Sequence, residues 1–541
     1  MTPRPDGLLG LPTEIFFHIV ENPVIGCRDL LNCMLVCRRL RDLLKDSMLW
    51  TYQRELERDG LTDGFSTLTT AAKLKKLLDR RQRWKDFEPI SVETLSIPFV
   101  KGPCCLIGGV FARIVPGPNP GTYSIGVARL PSANGNDHIQ DSLPTSKSWR
   151  RITALAIDPS QDLLVFLDWD PVTGDSHLNI RTLFAQEPHP LAAKSCIALY
   201  DGRGHPYDWD YDMKLGSDLI AIHRYNKTML RNWKTGITIW EGYYRNTEFF
   251  FLSPTLFFGL KEIETNPERM IDLYRVNEPP ERADCIAHLM LPPLETSDEG
   301  LSFDCADILV ELTPLGDHAT DNPFLSSPSH GLLLLTYRCR VELTERPGEG
   351  GLPITAGVYA VVLRTSGIFR LASEISSSQP DSTQKDIPTY TWNEWAQNEL
   401  VILESDNDEI GGTAHSAGRI HGSRIIFNDF DWYTEDESGR HFATIYRQSD
   451  DVDETPLRRP APIFIEDERD FTLELESDPA VRRLKVSLKI ISAFASSGKC
   501  YLDQNHILTL EPDPHEPQNV VPGHGNETGP NRKLVKVWTM G

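Results

Sequence analysis

The sequence predicts a small all-α module at the N-terminus, a connector helix behind it, and then a large all-β domain. Three observations carry that expectation. Apolar residues recur at helical spacing from Leu11 to about Tyr52, and again between residues 67 and 86. From Phe87 onward the pattern becomes short apolar runs cut by Gly, Pro, Asn and Asp. About twenty such runs follow, and none of them competes as a helix with the first 86 residues. The expected divisions are 1–60 for the helical module, 61–86 for the connector and 87–541 for the β domain.

Composition narrows the function classes. At 541 residues the chain is too long for one compact core. The formal charge of −22 is uneven: residues 1–86 carry 15 Lys/Arg and 12 Asp/Glu, the remainder 40 and 65. So acidic a body repels phosphate backbones, and no nucleic-acid partner is expected. No run of about 18 apolar residues exists, so no membrane span is expected. The N-terminus lacks the apolar core of a secretory leader. Ten cysteines are present, with no Cys-x-x-Cys pair and no His at zinc-like spacing. Reduced thiols in the cytoplasm or nucleus follow as the expectation.

Leu11-Pro12-Thr13-Glu14 starts the first helix. Proline is tolerated where its missing N–H is not needed, and Glu14 meets the positive helix end. Ile15, Phe16, Ile19 and Val20 make one apolar stripe, stopped at Asn22-Pro23. A second helix carries Leu30, Leu31, Met34 and Leu35 after Asp29. A third, from about Val36 to Lys45, is expected to turn Val36, Leu40, Leu43 and Leu44 inward and Arg38, Arg39 and Arg41 outward. Ser47 caps a fourth with Leu49, Trp50 and Tyr52. So few residues carry more apolar surface than they can hide, which calls for a partner or for the rest of the chain.

The same residues carry a resemblance. Leu-Pro-x-Glu-Ile at 11–15, Asp-Leu-Leu at 29–31, Leu-Val-Cys-Arg-Arg at 35–39 and Leu-Trp at 49–50 resemble an F-box, every block in order. Leu40 departs from the pattern, since many F-boxes carry Trp there. The resemblance implies docking on the Skp-type adaptor of a cullin-based ubiquitin ligase, with the rest of the chain receiving a target protein. It implies no catalytic residue and no cofactor of its own. The adaptor-binding candidates are Leu11, Pro12, Ile15, Ile19, Leu30, Val36, Leu40, Leu49 and Trp50. The competing expectations are a non-ligase interaction scaffold and an enzyme with its site in the β domain.

The connector, residues 67–86, is expected to place Leu74, Leu77, Leu78 and Trp84 on one side. Lys73, Lys75, Lys76, Arg80, Arg81 and Arg83 form a solvated basic face on the other. In the β body, a unit of two apolar runs and two turns recurs, as in residues 158–183 and 216–240. It resembles degenerate blades of a β-propeller, six to eight of them, with packed β-sandwiches as the alternative. If the ring closes, Lys533–Trp538 pairs with the first strand after Phe87. Segments 296–304, 373–389 and 511–531 read as long loops.

Chemistry was sought without a clear result. Asp-aromatic-Asp triplets at 168–170, 208–212 and 429–431 fit turns better than a cation site. His415, His421 and His441 lack metal-ligand spacing, Cys104-Cys105 reads as core, and no metal site is expected. Tyr207, Trp209, Tyr211, Tyr243, Tyr244, Trp392, Trp395, Trp432 and Tyr433 are candidates for a partner surface.

Overall fold

The computed structural model describes residues 11–540 apart from 21–24, 26, 65, 101, 133–137, 143–148, 150, 171–173, 200–210, 225–226, 244–248, 262–269, 278–281, 292–302, 313–322, 342–353, 379–386, 396–399, 405–418, 422–423, 428–439, 446–467, 472–485, 492–499 and 513–530. Four short helices come first: α1 (Thr13–Val20), α2 (Cys27–Val36), α3 (Arg38–Leu44) and α4 (Met48–Arg58). Ser47 caps α4, its hydroxyl accepting from the Trp50 N–H at 3.1 Å. A three-residue strand, Leu61–Asp63, and the long α5 (Thr70–Asp86) complete the N-terminal part.

Among the described residues, seven antiparallel β units follow. The first is Cys104–Ile107, Val110–Pro116, Tyr123–Arg129 and Gln140–Ser142. The second runs Ile152–Asp158, Leu163–Trp169, Ser176–Thr182 and Cys196–Leu199, and the third fills Tyr211–Gly216 to Thr238–Tyr243. The fourth has Phe249–Ser253, Leu256–Lys261, Met270–Asn277 and Arg282–Met290, with Thr389–Tyr390 added in parallel at its edge. The fifth spans Phe303–Leu312 to Leu400–Glu404, and the sixth Arg419–His421 to Val486–Ile491. The seventh takes three strands from the end of the chain, Cys500–Leu502, His506–Pro512 and Asn531–Thr539. Its outer strand, Ser91–Phe99, comes from the beginning.

First strands of consecutive units lie side by side from the first unit to the fourth and from the fifth to the seventh, and the seventh returns to the first. This is the topology of a seven-bladed propeller, inside the expected range. The expected closure is present: Val537 pairs with Glu93 and Val535 with Leu95. Packing rules out the sandwich alternative, which buries one face of each sheet. Here Leu164 and Phe166 pack toward the first blade while Leu163, Val165 and Leu167 pack toward the third. Burial on both faces is why LLVFLDW and EFFFLS are continuous apolar runs.

The closing blade is tied to the first by a buried polar knot. The Asp503 carboxylate accepts from the Gly109 N–H at 2.7 Å, and His506 bridges Asp503 (2.9 Å) and the Pro131 carbonyl (2.8 Å). Gly109 sits at φ +73°, and a Cβ there would lie 3.3 Å from the His506 ring.

Helix α5 departs from expectation. Its buried residues are Lys73, Leu77, Arg80 and Trp84, while Leu78 is 43% exposed. Part of the basic face is therefore interior. Arg81 meets two carboxylates of α4, Glu55 at 2.6 Å and Asp59 at 2.8 Å. Lys73 pairs with Asp63 at 2.8 Å, and the Tyr52 hydroxyl donates to the same carboxylate at 2.7 Å. Burial and the neighbouring Asp63 charge push the Tyr52 pKa up. Arg80 donates to the Gln504 carbonyl in the closing blade, 2.6 Å away, and Trp84 packs with Leu502, Ile507, Trp538 and Met540. The helix ends at Phe87, whose left-handed φ of 55° normally favours glycine, but its ring packs against that same cluster.

The segment before α5 is more than a linker. Strand Leu61–Asp63 pairs with Phe324–Ser326, in the connection between the first two strands of the fifth blade. Tyr52, Leu56, Leu61, Leu77 and Phe324 share one core, and the Gln504 amide donates to the Phe324 carbonyl at 2.8 Å.

Another departure is α6 (Thr365–Ser378), where a loop was expected from 373. Ile368, Leu371, Ala372 and Ile375 fall on one helical stripe and bury against the fourth blade.

Two predictions follow from α5. Trp84→Ala empties the closing-blade cluster and costs roughly 3–5 kcal/mol, read as a lowered thermal midpoint of the whole protein. Arg81→Ala takes the guanidinium from Asp59 and leaves Glu55 only the more exposed Arg54 and Arg58, and cleavage between 58 and 70 under limited proteolysis speeds up. Burial raises the Glu55 pKa, but the Arg81 hydrogen bond and charge outweigh it and hold it below 4.5. Its stabilisation is therefore full above that value and is lost as pH falls through the lower folded-state pKa. Acid titration of the midpoint will show this loss in the parent and a smaller one in Arg81→Ala.

Candidate functional site

The functional residues with the clearest geometry lie in α1 to α4. Phe16, Val20, Leu30, Leu40, Leu44 and Leu49 form the core of these helices, with Phe17, Met34, Leu43 and Trp50 at its margin. Each helix is too short to hold itself, so this shared core sets their arrangement. What it leaves outside is informative. Ile15 (49% exposed), Ile19 (40%), Leu31 (44%), Leu35 (65%), Val36 (73%) and Met48 (51%) face outward, and Pro12 is exposed. Ile15 and Ile19 are one turn apart on α1, as are Leu31 and Leu35 on α2. Arg38, Arg39 and Arg41 stand exposed on α3, as expected.

This divides the sequence candidates. Pro12, Ile15, Ile19 and Val36 are accessible, and Leu11 and Trp50 are half-buried. Leu30, Leu40 and Leu49 are withdrawn as anchors, since they are at most 6% exposed and hold the module's own core. Val36 is not inward as expected. It ends α2, and the extended Cys37 that follows breaks the helical phase before α3. Leu31, Leu35 and Met48 were missed as surface residues. The signal was present in α2, where Leu31 and Leu35 lie one turn apart and Leu30 is about 100° away.

In the β domain, Asp168, expected in a turn or at the surface, lies half-buried near the end of strand Leu163–Trp169. Burial raises its pKa, opposed by His177 at 3.8 Å and the Asn179 amide at 2.9 Å. Trp395 is core, its indole N–H donating to the Met290 carbonyl at 2.8 Å, and Trp392 lies at the edge of the same cluster. Cys104 and Cys105 are half-buried, packed against the core on either side of the first blade and in no disulfide. Tyr207, Trp209, Tyr244, His415, Trp432, Tyr433, the triplet at 429–431, and the side chains of Tyr211, Tyr243, His421 and His441 lie outside the described residues. Among the described residues, no helix is long and apolar enough to cross a membrane.

Comparison with known proteins agrees with the N-terminal reading. Residues 8–54 match the family model described as F-box-like. No curated protein matches the chain. Among solved structures, the chain is similar to the WD40 domain of SCAP from fission yeast (9% identity, 83% of this chain and 95% of that one, TM-score 0.31). It is similar also to the polysaccharide lyase Uly1 (6% identity, 82% and 90%, TM-score 0.35). A third is the β-propeller domain of the Trilobed protease from Pyrococcus furiosus (10% identity, 49% and 91%, TM-score 0.24). At those scores the architecture rests on this chain's own strand order and closure. The chain thus carries an F-box-like domain at residues 8–54, joined to a propeller-like β domain.

Proposed function

We propose that this protein is a substrate-receptor subunit of a Skp-cullin-F-box ubiquitin ligase. In this reading residues 1–60 dock on a Skp-type adaptor, 61–86 act as a rigid connector, and 87–541 bind a target protein. One observation supports it most. Among the described residues, six of the eleven exposed large hydrophobic side chains fall between Ile15 and Met48. Among the described residues those six stay exposed while the propeller is engaged through other side chains of α4, α5 and the strand Leu61–Asp63. Exposed apolar surface so concentrated marks a protein contact. Leu11, Pro12, Ile15, Ile19, Leu31, Leu35, Val36, Met48 and Trp50 are the residues for that contact, with Arg38, Arg39 and Arg41 beside them. Burying aliphatic anchors supplies the affinity, and the charged rim orients the partner. The chain contributes binding and spacing, and the ligase assembly supplies ubiquitin transfer.

Adaptor capture by the full-length protein tests this. The Ile15→Asp/Ile19→Asp/Val36→Asp variant is expected to lose capture by more than about tenfold while keeping the parent's circular dichroism. Unchanged capture would remove this face from the interface. Leu30→Ala should behave differently, costing roughly 2–5 kcal/mol of module stability and losing capture only as the helices melt. Recovery of the cullin in the same purification separates a ligase subunit from a scaffold that binds the adaptor alone.

A further inference from the structure

We propose that Asp272, Cys285 and His288 form a binding site for one borderline divalent cation of the zinc class, on the outer strands of the fourth blade. The three residues come from adjacent strands, Met270–Asn277 and Arg282–Met290. Asp272 pairs directly with His288. Regular alternation would then put Cys285, three residues before His288, on the opposite face. A β-bulge prevents this. The register shifts between Leu273 and Tyr274, so that Tyr274 pairs with Cys285 and not with Ile286. The burial pattern records the switch: Ala287 and Leu289 pack toward the fifth blade, whereas Ala283 and Cys285 pack toward the third. The bulge thus turns Cys285 onto the side that carries Asp272 and His288. Re-aiming a side chain is a recurrent use of such an irregularity.

One ligand atom from each residue lies within 4.8 Å of the other two. His288 Nδ1 is 2.6 Å from Asp272 Oδ1, and the Tyr274 hydroxyl is 3.3 Å from the other carboxylate oxygen. Asp272 is buried while the His288 side chain is 21% exposed, leaving one approach from solvent. Carboxylate, thiolate and imidazole together suit zinc, which takes Cys, His and Asp ligands in tetrahedral sites and commonly leaves one position to water. With metal–ligand bonds of about 2.0–2.3 Å, tetrahedral donors stand roughly 3.3–3.7 Å apart. The widest pair must therefore close by about 1 Å, and the Asp272–His288 hydrogen bond must open. On binding, Cys285 gives up its thiol proton and Nδ1 of His288 presents its lone pair to the cation.

The surroundings hold these ligands in place. The Tyr274 hydroxyl donates to Asp272 and orients the carboxylate. The His288 backbone N–H donates to the Pro388 carbonyl at 2.9 Å, and strand Thr389–Tyr390 pairs alongside. A hydrogen-bonded Asp–His pair alone would account for two of the residues. The bulge adds the Cys285 thiol, which donates to the Ala287 carbonyl at 3.6 Å and gives up that bond on binding the cation.

Full-length protein, stripped with chelator and titrated with Co2+, tests the site. The expected result is saturation at one equivalent with a thiolate-to-cobalt charge-transfer band in the near ultraviolet, displaced by Zn2+. Cys285→Ser should abolish that band with the fold retained by circular dichroism. His288→Asn should weaken Co2+ binding by at least about tenfold. A band and stoichiometry unchanged in Cys285→Ser, or no saturable band in the parent, would overturn the proposal.

Discussion

Arg80 and Arg81, adjacent on α5, hold the two halves of this protein in fixed relation. Neighbouring residues on a helix point about 100° apart, so one helix serves two surfaces. Arg81 reaches back to the carboxylates of Glu55 and Asp59 on α4. Arg80 reaches forward to the Gln504 carbonyl in the closing blade. Taking guanidinium groups out of water is costly and is tolerated only where acceptors are in place. The acceptors belong to different parts of the fold, so neither contact survives a change in the angle between them. The F-box and the propeller are thus joined by a bracket, with the apolar face of α1 and α2 held at a set distance from the blades.

The propeller depends on the same logic of mutual cover. Around the described part of the ring blade packs on blade: the seventh on the first, the first on the second, the second on the third and the third on the fourth. The ring has no free end because Ser91–Phe99 lies against Asn531–Thr539. Helix α5 then packs on this closing blade through Trp84 and Phe87. Closure of the ring and orientation of the F-box are therefore energetically one event.

Much of this was legible in the sequence, for reasons particular to each part. The F-box blocks are local, and their spacing survives in one chain without any comparison. The alternation of apolar runs and turns disclosed the β units, and Lys533–Trp538 disclosed the closure. What was not legible depends on contacts distant in sequence. Lys73, Arg80 and Arg81 read as a solvated stripe because the partners of Arg80 and Arg81 lie 424 residues ahead and 22–26 behind. Val36 reads as inward with Leu40, Leu43 and Leu44 if α3 starts at Val36, whereas Cys37 resets the helical phase after it. Helix α6 was hidden by its serines, which are neutral to poor helix formers. Burial of Ile368, Leu371 and Ile375 against the fourth blade overrides that tendency. The bulge at Leu273/Tyr274 has no sequence mark at all.

The shared blade also sets an order of events during synthesis. Strand Ser91–Phe99 leaves the ribosome more than 400 residues before Asn531–Thr539, its pairing partner. At about 5–20 residues per second, that interval is roughly 20–90 s. Through that time α1 to α4 have everything their own core requires, while the surface meant for Arg80 and Trp84 does not yet exist. A nascent chain therefore forms its helical module well before the ring can close. A chain that lacked Asn531–Thr539 would keep the first and lose the second. Such a fragment would expose the apolar face of α1 and α2 with no closed ring behind α5.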